Sequence, residues 1–188
     1  MRGDLVLRAQ AGDHQAFAEL VGESIERLYR IARLIVHDDD AARDGVQEAL
    51  IAAWVGLPGL RDPRRFDAWM HRLLVRECLR VADQGRRQST IALMVRPGSR
   101  VAMPDSSAVV ELQNLLEGAF RRLPTDARAV LVLHYYADLD DPAGAVAMGI
   151  PVGTFRSRLS RAKASLKAAV AAEGRALDPT AEPSHDSA

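Results

Sequence analysis

The sequence lacks the features that disulfide-bonded, membrane-spanning and secreted proteins require. A single cysteine, Cys78, excludes an internal disulfide and favours a reducing compartment. No apolar run approaches the ~18 residues that a membrane-spanning helix needs. The first residues, MRGDLVLRAQAGD, carry charges every few positions where a secretory signal would be apolar. We therefore expect a cytoplasmic protein with no direct membrane insertion.

Sites for enzymatic chemistry are also missing from the sequence. There is no Gly-rich phosphate loop, no nucleophile elbow and no pair of carboxylates that could be assigned as catalytic. The histidines are scattered, and none has a His/Cys spacing typical of zinc. His71 and Cys78 lie seven positions apart on one predicted helix, and we interpret both as structural. The sequence thus predicts no metal and no cofactor, and it argues against an enzyme.

Net charge is zero, but the charge is unevenly distributed. Residues 1–83 and 173–188 are acidic in balance, whereas 84–108 and 109–172 are basic. Local fields of this kind steer partners more than the total charge does. Lys163 and Lys167 are the only lysines among 25 basic residues. Arginine suits bidentate contacts with phosphate and guanine, although codon bias from a GC-rich genome explains the same excess.

The most basic segment, residues 151–170, has five cationic side chains and no acidic one. Apolar residues recur there at steps of three and four, which predicts a helix with one buried stripe and one cationic face. Such a face suits a polyanion, because each neutralised phosphate releases counterions. A short apolar segment from Asp141 to Met148 and then Gly149 precede it. This order predicts a helix-turn-helix, whose second helix enters the DNA major groove.

Helical periodicity also dominates the N-terminal half. Residues 14–37 are predicted to form one long helix with Asp13 as its N-cap. The acidic run 38–40 is expected to cap the next helix, which ends near residues 56–59. Asp62-Pro63 predicts the start of a third helix.

Periodicity disappears over residues 84–108, which contain Pro97, Gly98 and Pro104. So long a stretch without structure is uncommon inside a compact domain and indicates a boundary. After it, a helix over 109–122 is predicted to bury Leu112, Leu115, Leu116 and Ala119. The predicted fold is all-α: two small helical domains, 1–83 and 109–172, joined by a flexible linker over 84–108 and followed by a disordered tail over 173–188.

Two sets of sequence motifs, one in each half of the chain, carry a specific resemblance. LPTDARAVLVLHYYADL followed by GIPVGTFRSRLSRAKASL resembles the domain of sigma-70-type RNA polymerase sigma factors that binds the −35 promoter element. AGDHQAFAELV, RLYRIARLIVHDDDAARDGVQEALIAAW and RFDAWMHRLLVREC resemble their −10-recognising domain. A chain holding only these two domains and a short linker is similar to the extracytoplasmic-function (ECF) group. The resemblance implies core RNA polymerase, promoter DNA and an anti-sigma factor as partners.

The resemblance also implies roles for individual residues. In the predicted basic helix, Arg156, Ser157 and Arg161 match the positions that contact the −35 element, with Thr154, Arg158 and Ser160 nearby. In the N-terminal domain, the residues that match the face docking on the clamp helices of core polymerase are Asp44, Gln47, Glu48 and Ile51.

Capture of the melted −10 strand needs cations along the backbone and surfaces that accept unstacked bases. The expected strand contacts are Arg61, Arg64, Arg65, Arg72, Arg76 and Arg80. Phe66 and Trp69 lie on the apolar stripe of the same helix, so we expect them in the core.

The chain departs from the family pattern at three positions. Gly144 stands where the family has an apolar residue, and Ala143 where an acidic one is usual. A glycine inside a helix costs about 1 kcal/mol relative to alanine, which predicts a loose first helix in the helix-turn-helix. Arg76 stands where many members have asparagine, which leaves the −10 contacts open.

Two other functions are weighed against the sigma-factor interpretation. A helix-turn-helix transcriptional regulator without sigma activity would bind duplex DNA alone, as a dimer with half-sites about one helical turn apart. It would need neither the acidic segment 38–48 nor the basic segment 60–80. A small helical enzyme would need a convergent polar site, and the sequence offers none.

Overall fold

The computed structural model describes residues 2–91 and 108–177, and all regular structure in these ranges is helical. Residues 2–91 form an N-terminal unit and residues 108–177 form a C-terminal unit. Both units are all-α, as predicted. The N-terminal helices are α1 (Arg2–Gln10), α2 (His14–Gly22), α3 (Ile25–Val36), α4 (Asp39–Gly56) and α5 (Phe66–Ile91).

The prediction of one helix over 14–37 is wrong. Asp13 does cap α2, accepting from the backbone N–H groups of Gln15 and Ala16, but the chain breaks at residues 23–24 before α3 starts. The apolar period continues across this two-residue break, so the sequence pattern does not reveal it. Helix α1 was also absent from the prediction, although it buries Val6 and Ala9.

The predicted helix boundaries around α4 are confirmed. Asp38 accepts from Ala41 N–H at 2.8 Å at the start of α4, which ends at Gly56. A 3-10 turn over Leu57–Gly59 follows. Asp62 then accepts from Arg64 N–H at 3.1 Å and starts the turn that leads into α5.

The C-terminal unit contains the predicted helix-turn-helix. Its helices are α6 (Ala108–Arg121), α7 (Thr125–Leu131), α8 (Asp141–Met148) and α9 (Val152–Leu177), with a π-helical turn over Val132–Tyr136 after α7. Gly149 ends α8 with φ of 66°, the left-handed conformation that glycine adopts without strain. The turn at 149–151 then leads into α9.

Helices extend into both segments that were predicted to be unstructured. Helix α5 continues to Ile91, so residues 84–91 of the predicted linker are helical. Helix α9 continues to Leu177, and Glu173 pairs with Arg122 of α6. This contact explains why the polar start of the predicted tail is helical. The rest of the predicted linker (92–107) and tail (178–188) lies outside the described residues.

The two units pack directly against each other. Helix α8 lies on α5, and α7 lies on α3. Leu133 and Ala147 of the C-terminal unit are buried in the same apolar cluster as the N-terminal helices. A separate cluster holds the C-terminal unit together; its buried members are Leu123, Val130, Leu131, Ala145, Phe155, Leu159 and Ala162.

One part of the predicted C-terminal core is wrong. Leu112 and Leu116 of α6 are 63% and 48% exposed, whereas Ala119 is buried as predicted. The apolar stripe of α6 extends beyond the surface that α9 covers, and Leu116 lines a groove between the two units.

Candidate nucleic-acid interface and partner surfaces

The surface of α9 presents most of the predicted DNA-contacting side chains to solvent. Arg156, Ser157, Ser160 and Arg161 are exposed, whereas Thr154 and Arg158 are half-buried. Ser157 Oγ donates to the carbonyl of Thr154 at 2.9 Å, and Arg161 Nε donates to the carbonyl of Ser157 at 3.3 Å. These residues therefore share one polar helix face.

Helix α9 is seated on α8 through Phe155 and Gly144. The Phe155 side chain is fully buried, and a Cβ built on Gly144 would lie 2.4 Å from its ring. Asp140 also caps α8 by accepting from Ala143 N–H at 2.8 Å. The expectation that Gly144 loosens α8 is thus replaced by a packing role: the missing side chain makes room for the ring that fixes α9.

An ion pair links the two helices of the motif at the exposed polar face of α9. Arg156 Nε donates to Asp141 Oδ2 at 2.7 Å. The other oxygen of Asp141 lies 4.0 Å from His134 Nδ1. The sequence motif gave no signal for this pairing, because Asp141 and Arg156 lie on different helices.

The predicted docking residues of α4 form one exposed face. Asp44, Gln47, Glu48 and Ile51 are all exposed, as their helical spacing requires. Gln47 and Ile51 also line an open groove of about 590 Å³ between α3 and α4.

The floor of this α3–α4 groove is mostly apolar. It includes Ile25, Tyr29, Val46 and Leu50. The Ile25 side chain is 42% exposed. An apolar strip with a polar rim is the composition expected of a protein-binding surface.

The six predicted −10 arginines are all exposed, but their surroundings differ. Arg64 and Arg65, in the turn before α5, pair with Asp62 at 3.1 Å and 3.7 Å. Within residues 2–91 and 108–177, Arg61 and Arg72 have no carboxylate partner. Arg72 lies beside the turn of the helix-turn-helix, since its Nε would be 4.0 Å from a Cβ on Gly149.

Arg76 and Arg80 are instead held by a carboxylate on their own helix. Arg76 Nε donates to one oxygen of the buried Glu77 at 2.9 Å, and Arg80 Nε donates to the other at 2.6 Å. Burial alone would raise the pKa of the Glu77 carboxyl, but the hydrogen bonds and charges of Arg80 and Arg76 outweigh it, so the pKa is lowered. Glu77 is therefore ionised and orients both guanidinium groups.

The aromatic residues of α5 behave as predicted. Phe66 is buried in the N-terminal core. Trp69 is half-buried and packs against Gly56, where an added Cβ would lie 3.2 Å from its ring.

Cys78 and His71 are both buried and fit a structural role. Burial, followed by the charge of Glu77, raises the pKa of the Cys78 thiol to about 12. In the part of the chain that the structure describes, no cluster of His, Cys, Asp and Glu side chains could hold a metal ion. No helix in those ranges is long and apolar enough to span a membrane.

A second and larger groove, of about 1540 Å³, lies between the two units. We call it the inter-unit groove. Its walls come from the α3–α4 junction and from α6, α7 and α9, and residues on these walls include His37, Leu116, Phe120, Tyr135 and Lys163. It combines exposed apolar side chains with cationic ones from α9.

Comparison with known proteins agrees with this geometry. Residues 12–88 match the family described as Sigma-70 region 2, and residues 113–166 match Sigma-70, region 4. The chain is 30% identical over 164 residues to the ECF RNA polymerase sigma factor SigM of Mycobacterium tuberculosis, covering 87% of this chain and 81% of SigM. It is 24% identical to the ECF RNA polymerase sigma factor SigW of Bacillus subtilis, covering 86% of this chain and 92% of SigW.

Solved structures share the fold. CnrH, solved in complex with the cytosolic domain of CnrY, superposes with a TM-score of 0.63 at 25% identity and covers 96% of this chain and 99% of CnrH. RpoE of Bartonella quintana, solved with the anti-sigma factor NepR, gives a TM-score of 0.64 at 22% identity, over 82% of this chain and 96% of RpoE. This chain belongs to the sigma-70 family and is an RNA polymerase sigma factor of the extracytoplasmic-function type.

Proposed function

We propose that the two helical units divide the work of this sigma factor. Residues 1–83 dock on core RNA polymerase and capture the −10 element, residues 109–172 read the −35 duplex, and residues 84–108 connect them. The observation that carries this proposal is the helix-turn-helix whose second helix, α9, presents an exposed Arg/Ser face on a rigid seat. Its partners are core RNA polymerase and promoter DNA.

At the −35 element, α9 enters the major groove and its exposed face reads base edges. Arg156, Ser157 and Arg161 make the direct contacts, with Thr154, Arg158 and Ser160 supporting or extending them. A bidentate arginine–guanine contact supplies about 1–3 kcal/mol of discrimination, enough for one side chain to define a base position.

On core polymerase, the α3–α4 groove binds the apolar face of the clamp helices. Gln47 and Ile51 line the groove, while Asp44 and Glu48 extend the polar rim along α4. A helix lying in such a groove combines apolar anchors with polar contacts that fix its register.

At the −10 element, the exposed arginines of the turn and of α5 contact the melted strand. Arg61, Arg64, Arg65 and Arg72 are the first candidates. Among the described residues, Arg61 and Arg72 have no carboxylate partner, and Arg64 and Arg65 pair only with Asp62 at the surface. Arg76 and Arg80 come after them, because both must share their guanidinium groups with Glu77.

The compact packing of the two units is not the promoter-bound arrangement. Elements centred near −10 and −35 lie about 25 base pairs apart, which is roughly 80 Å of duplex. A compact chain of this length is only about 40 Å across. The contacts between α5 and α8 must therefore open on promoter binding, which would also free Arg72 from the turn at Gly149.

An anti-sigma factor that binds the compact form would occupy the inter-unit groove. The solved relative from Bartonella quintana is described in complex with such a factor. Exposed Leu116 and Tyr135 and the cationic Lys163 would receive an amphipathic helix with acidic flanks.

The chain carries no chemistry of its own in this proposal. Nucleotide transfer belongs to the polymerase, and this cytoplasmic subunit supplies promoter choice. The competing function, a DNA-binding regulator without sigma activity, leaves the α3–α4 groove and the arginines of residues 60–80 without a role.

Gel filtration with purified core polymerase tests the proposal. We expect the full-length chain to co-elute with core enzyme and then to retain promoter duplex. Failure to co-elute, combined with tight binding of duplex DNA by the chain alone, would favour the regulator.

A further inference from the structure

The arginine proposed to read the −35 element is anchored by a carboxylate from the neighbouring helix. Arg156 Nε donates to Asp141 Oδ2 at 2.7 Å. The Arg156 side chain is 66% exposed and that of Asp141 26% exposed, so the pair lies at the surface with its acidic partner on the inner side. In the described ranges, this is the one hydrogen bond that the Arg156 side chain makes.

Asp141 is itself held in place by the fold. It is the first residue of α8, directly after the cap Asp140, where the helix dipole favours a negative charge. Its second oxygen lies 4.0 Å from Nδ1 of His134, a nitrogen that is buried without a hydrogen-bond partner among the described residues. The carboxylate is thus a fixed point on the first helix of the motif, beside the second helix.

This contact leaves only one way for Arg156 to read a base. A guanidinium group can offer a guanine either its Nε/Nη edge or its Nη1/Nη2 end, and guanine O6 and N7 accept both N–H groups at once. Asp141 occupies Nε, so the Nη1/Nη2 end remains. An arginine fixed in this way also loses less rotamer freedom when it binds.

We propose that Asp141 is a positioning residue that sets base specificity, by holding Arg156 for end-on contact with one guanine of the −35 element. The inference rests on the proposed −35 role of Arg156. A carboxylate near DNA also repels phosphates. Neutralising Asp141 should therefore lower discrimination between bases while leaving overall affinity equal or higher.

The experiment uses the full-length chain bound to core polymerase and a duplex library with a constant −10 element and a randomised −35 region. Selection with the native chain and with Arg156→Ala identifies the G·C position that depends on Arg156. Binding is then compared between the preferred duplex and one with A·T at that position. The variants are Asp141→Asn, Arg156→Ala and the double variant.

Asp138→Asn provides the matched control. It removes one exposed carboxylate three residues before Asp141, at a backbone φ of 57° that asparagine tolerates. It therefore reports the effect of charge removal without any change in the anchoring of Arg156.

We expect Asp141→Asn to lose about five- to tenfold of the preference for G·C, within the range of one bidentate contact. Asp138→Asn should keep the native preference. The double variant should discriminate no worse than Arg156→Ala alone, because both changes act through one contact.

The possible failures are distinguishable. If Arg156→Ala keeps the native preference at every position, the proposed −35 role of Arg156 is wrong. If Arg156→Ala loses the preference but Asp141→Asn retains it, the positioning role of Asp141 is wrong. An Asp141→Asn variant that weakens binding to both duplexes by the same factor would also overturn it, since that is the result of a merely structural defect.

Discussion

Arg128 Nε donates a 2.7 Å hydrogen bond to the backbone carbonyl of Ile35, although 93 positions separate the two residues. Its Nη1 also donates to the carbonyls of Arg121 and Leu123, each at 3.2 Å. The side chain is buried. One cation therefore joins the end of α3 to the α6–α7 connection and ties the two units together.

Replacing Arg128 by alanine should both destabilise the C-terminal unit and open the interface. Loss of charged hydrogen bonds to buried carbonyls is expected to cost about 3 kcal/mol. Urea unfolding would measure the stability, and fluorescence energy transfer between labels on α2 and α6 would measure the separation of the units.

Arg27→Ala separates these two effects. Arg27 belongs to the N-terminal unit and donates across the same interface to the carbonyl of Ala137 at 2.7 Å, so its loss removes a bond between the units and none within the C-terminal unit. We expect it to increase the distance between the units at a cost of about 1 kcal/mol. If neither variant changes that distance, these bonds do not hold the compact form.

Gly144→Ala should destabilise the protein even though alanine favours helices. The new Cβ would meet three ring carbons of Phe155 at 2.4–2.9 Å. Overpacking of this kind costs about 1–3 kcal/mol, which outweighs a propensity gain of about 1 kcal/mol. Thermal unfolding measures the change. Gly153→Ala is the matched control, since nothing lies within 4 Å of its added Cβ, and it should be neutral or stabilising. A Gly144→Ala variant as stable as Gly153→Ala would contradict the packing role.

Gln47→Ala combined with Glu48→Ala should weaken binding to core polymerase by at least about tenfold, if these residues line the docking face. Ile51→Ala should act in the same direction through the α3–α4 groove. Val55→Ala is the control, because Val55 is an exposed apolar residue of the same helix that lies outside the groove. If Ile51→Ala and Val55→Ala bind core polymerase with equal affinity, the docking site does not include the α3–α4 groove.

Acid should destabilise the interface through His37. Burial, followed by the charges of Arg128 and Arg121, lowers the pKa of His37 from 6.5 to about 4. Arg33 acts in the same direction and Glu117 opposes it. Between pH 6.5 and 4, His37 is therefore protonated in the unfolded chain but neutral in the folded chain. The free energy of unfolding keeps its full value above pH 6.5 and decreases as the pH falls, by about 2 kcal/mol at pH 5.

His37→Asn should flatten this pH dependence. Asparagine tolerates the φ of 59° at this position and does not titrate. Unfolding free energies measured from pH 5 to 7.5 would test the prediction. Glu77 does not interfere there, because its lowered pKa confines its effect to more acidic solutions. An unchanged slope in His37→Asn would show that another group, such as the buried His71, carries the effect.

Local features of the fold were predictable from sequence because their causes are local. Asp13, Asp38 and Asp62 each cap the next helical element with their own side chains, so residue type and spacing suffice. The helix ends at 91 and 177 were missed, because a polar, aperiodic segment can remain helical. For α9, the ion pair between Glu173 and Arg122 supplies a tertiary reason.

The candidate site was predictable only as far as one helix defines it. The exposed faces of α4 and α9 follow from the helical period. The α3–α4 groove, the Asp141–Arg156 pair and the bond from Arg128 to Ile35 join residues on different helices. No sequence period reports on such contacts, and they decide how the surfaces are shaped and how the two units meet.

Transcription with purified core polymerase over a promoter library tests the central claim most directly. We expect the full-length chain to direct initiation at promoters that share one −35 element, and Arg156→Ala to lose that selectivity while still co-eluting with core enzyme. A chain that never allows core polymerase to initiate at any promoter would contradict the claim.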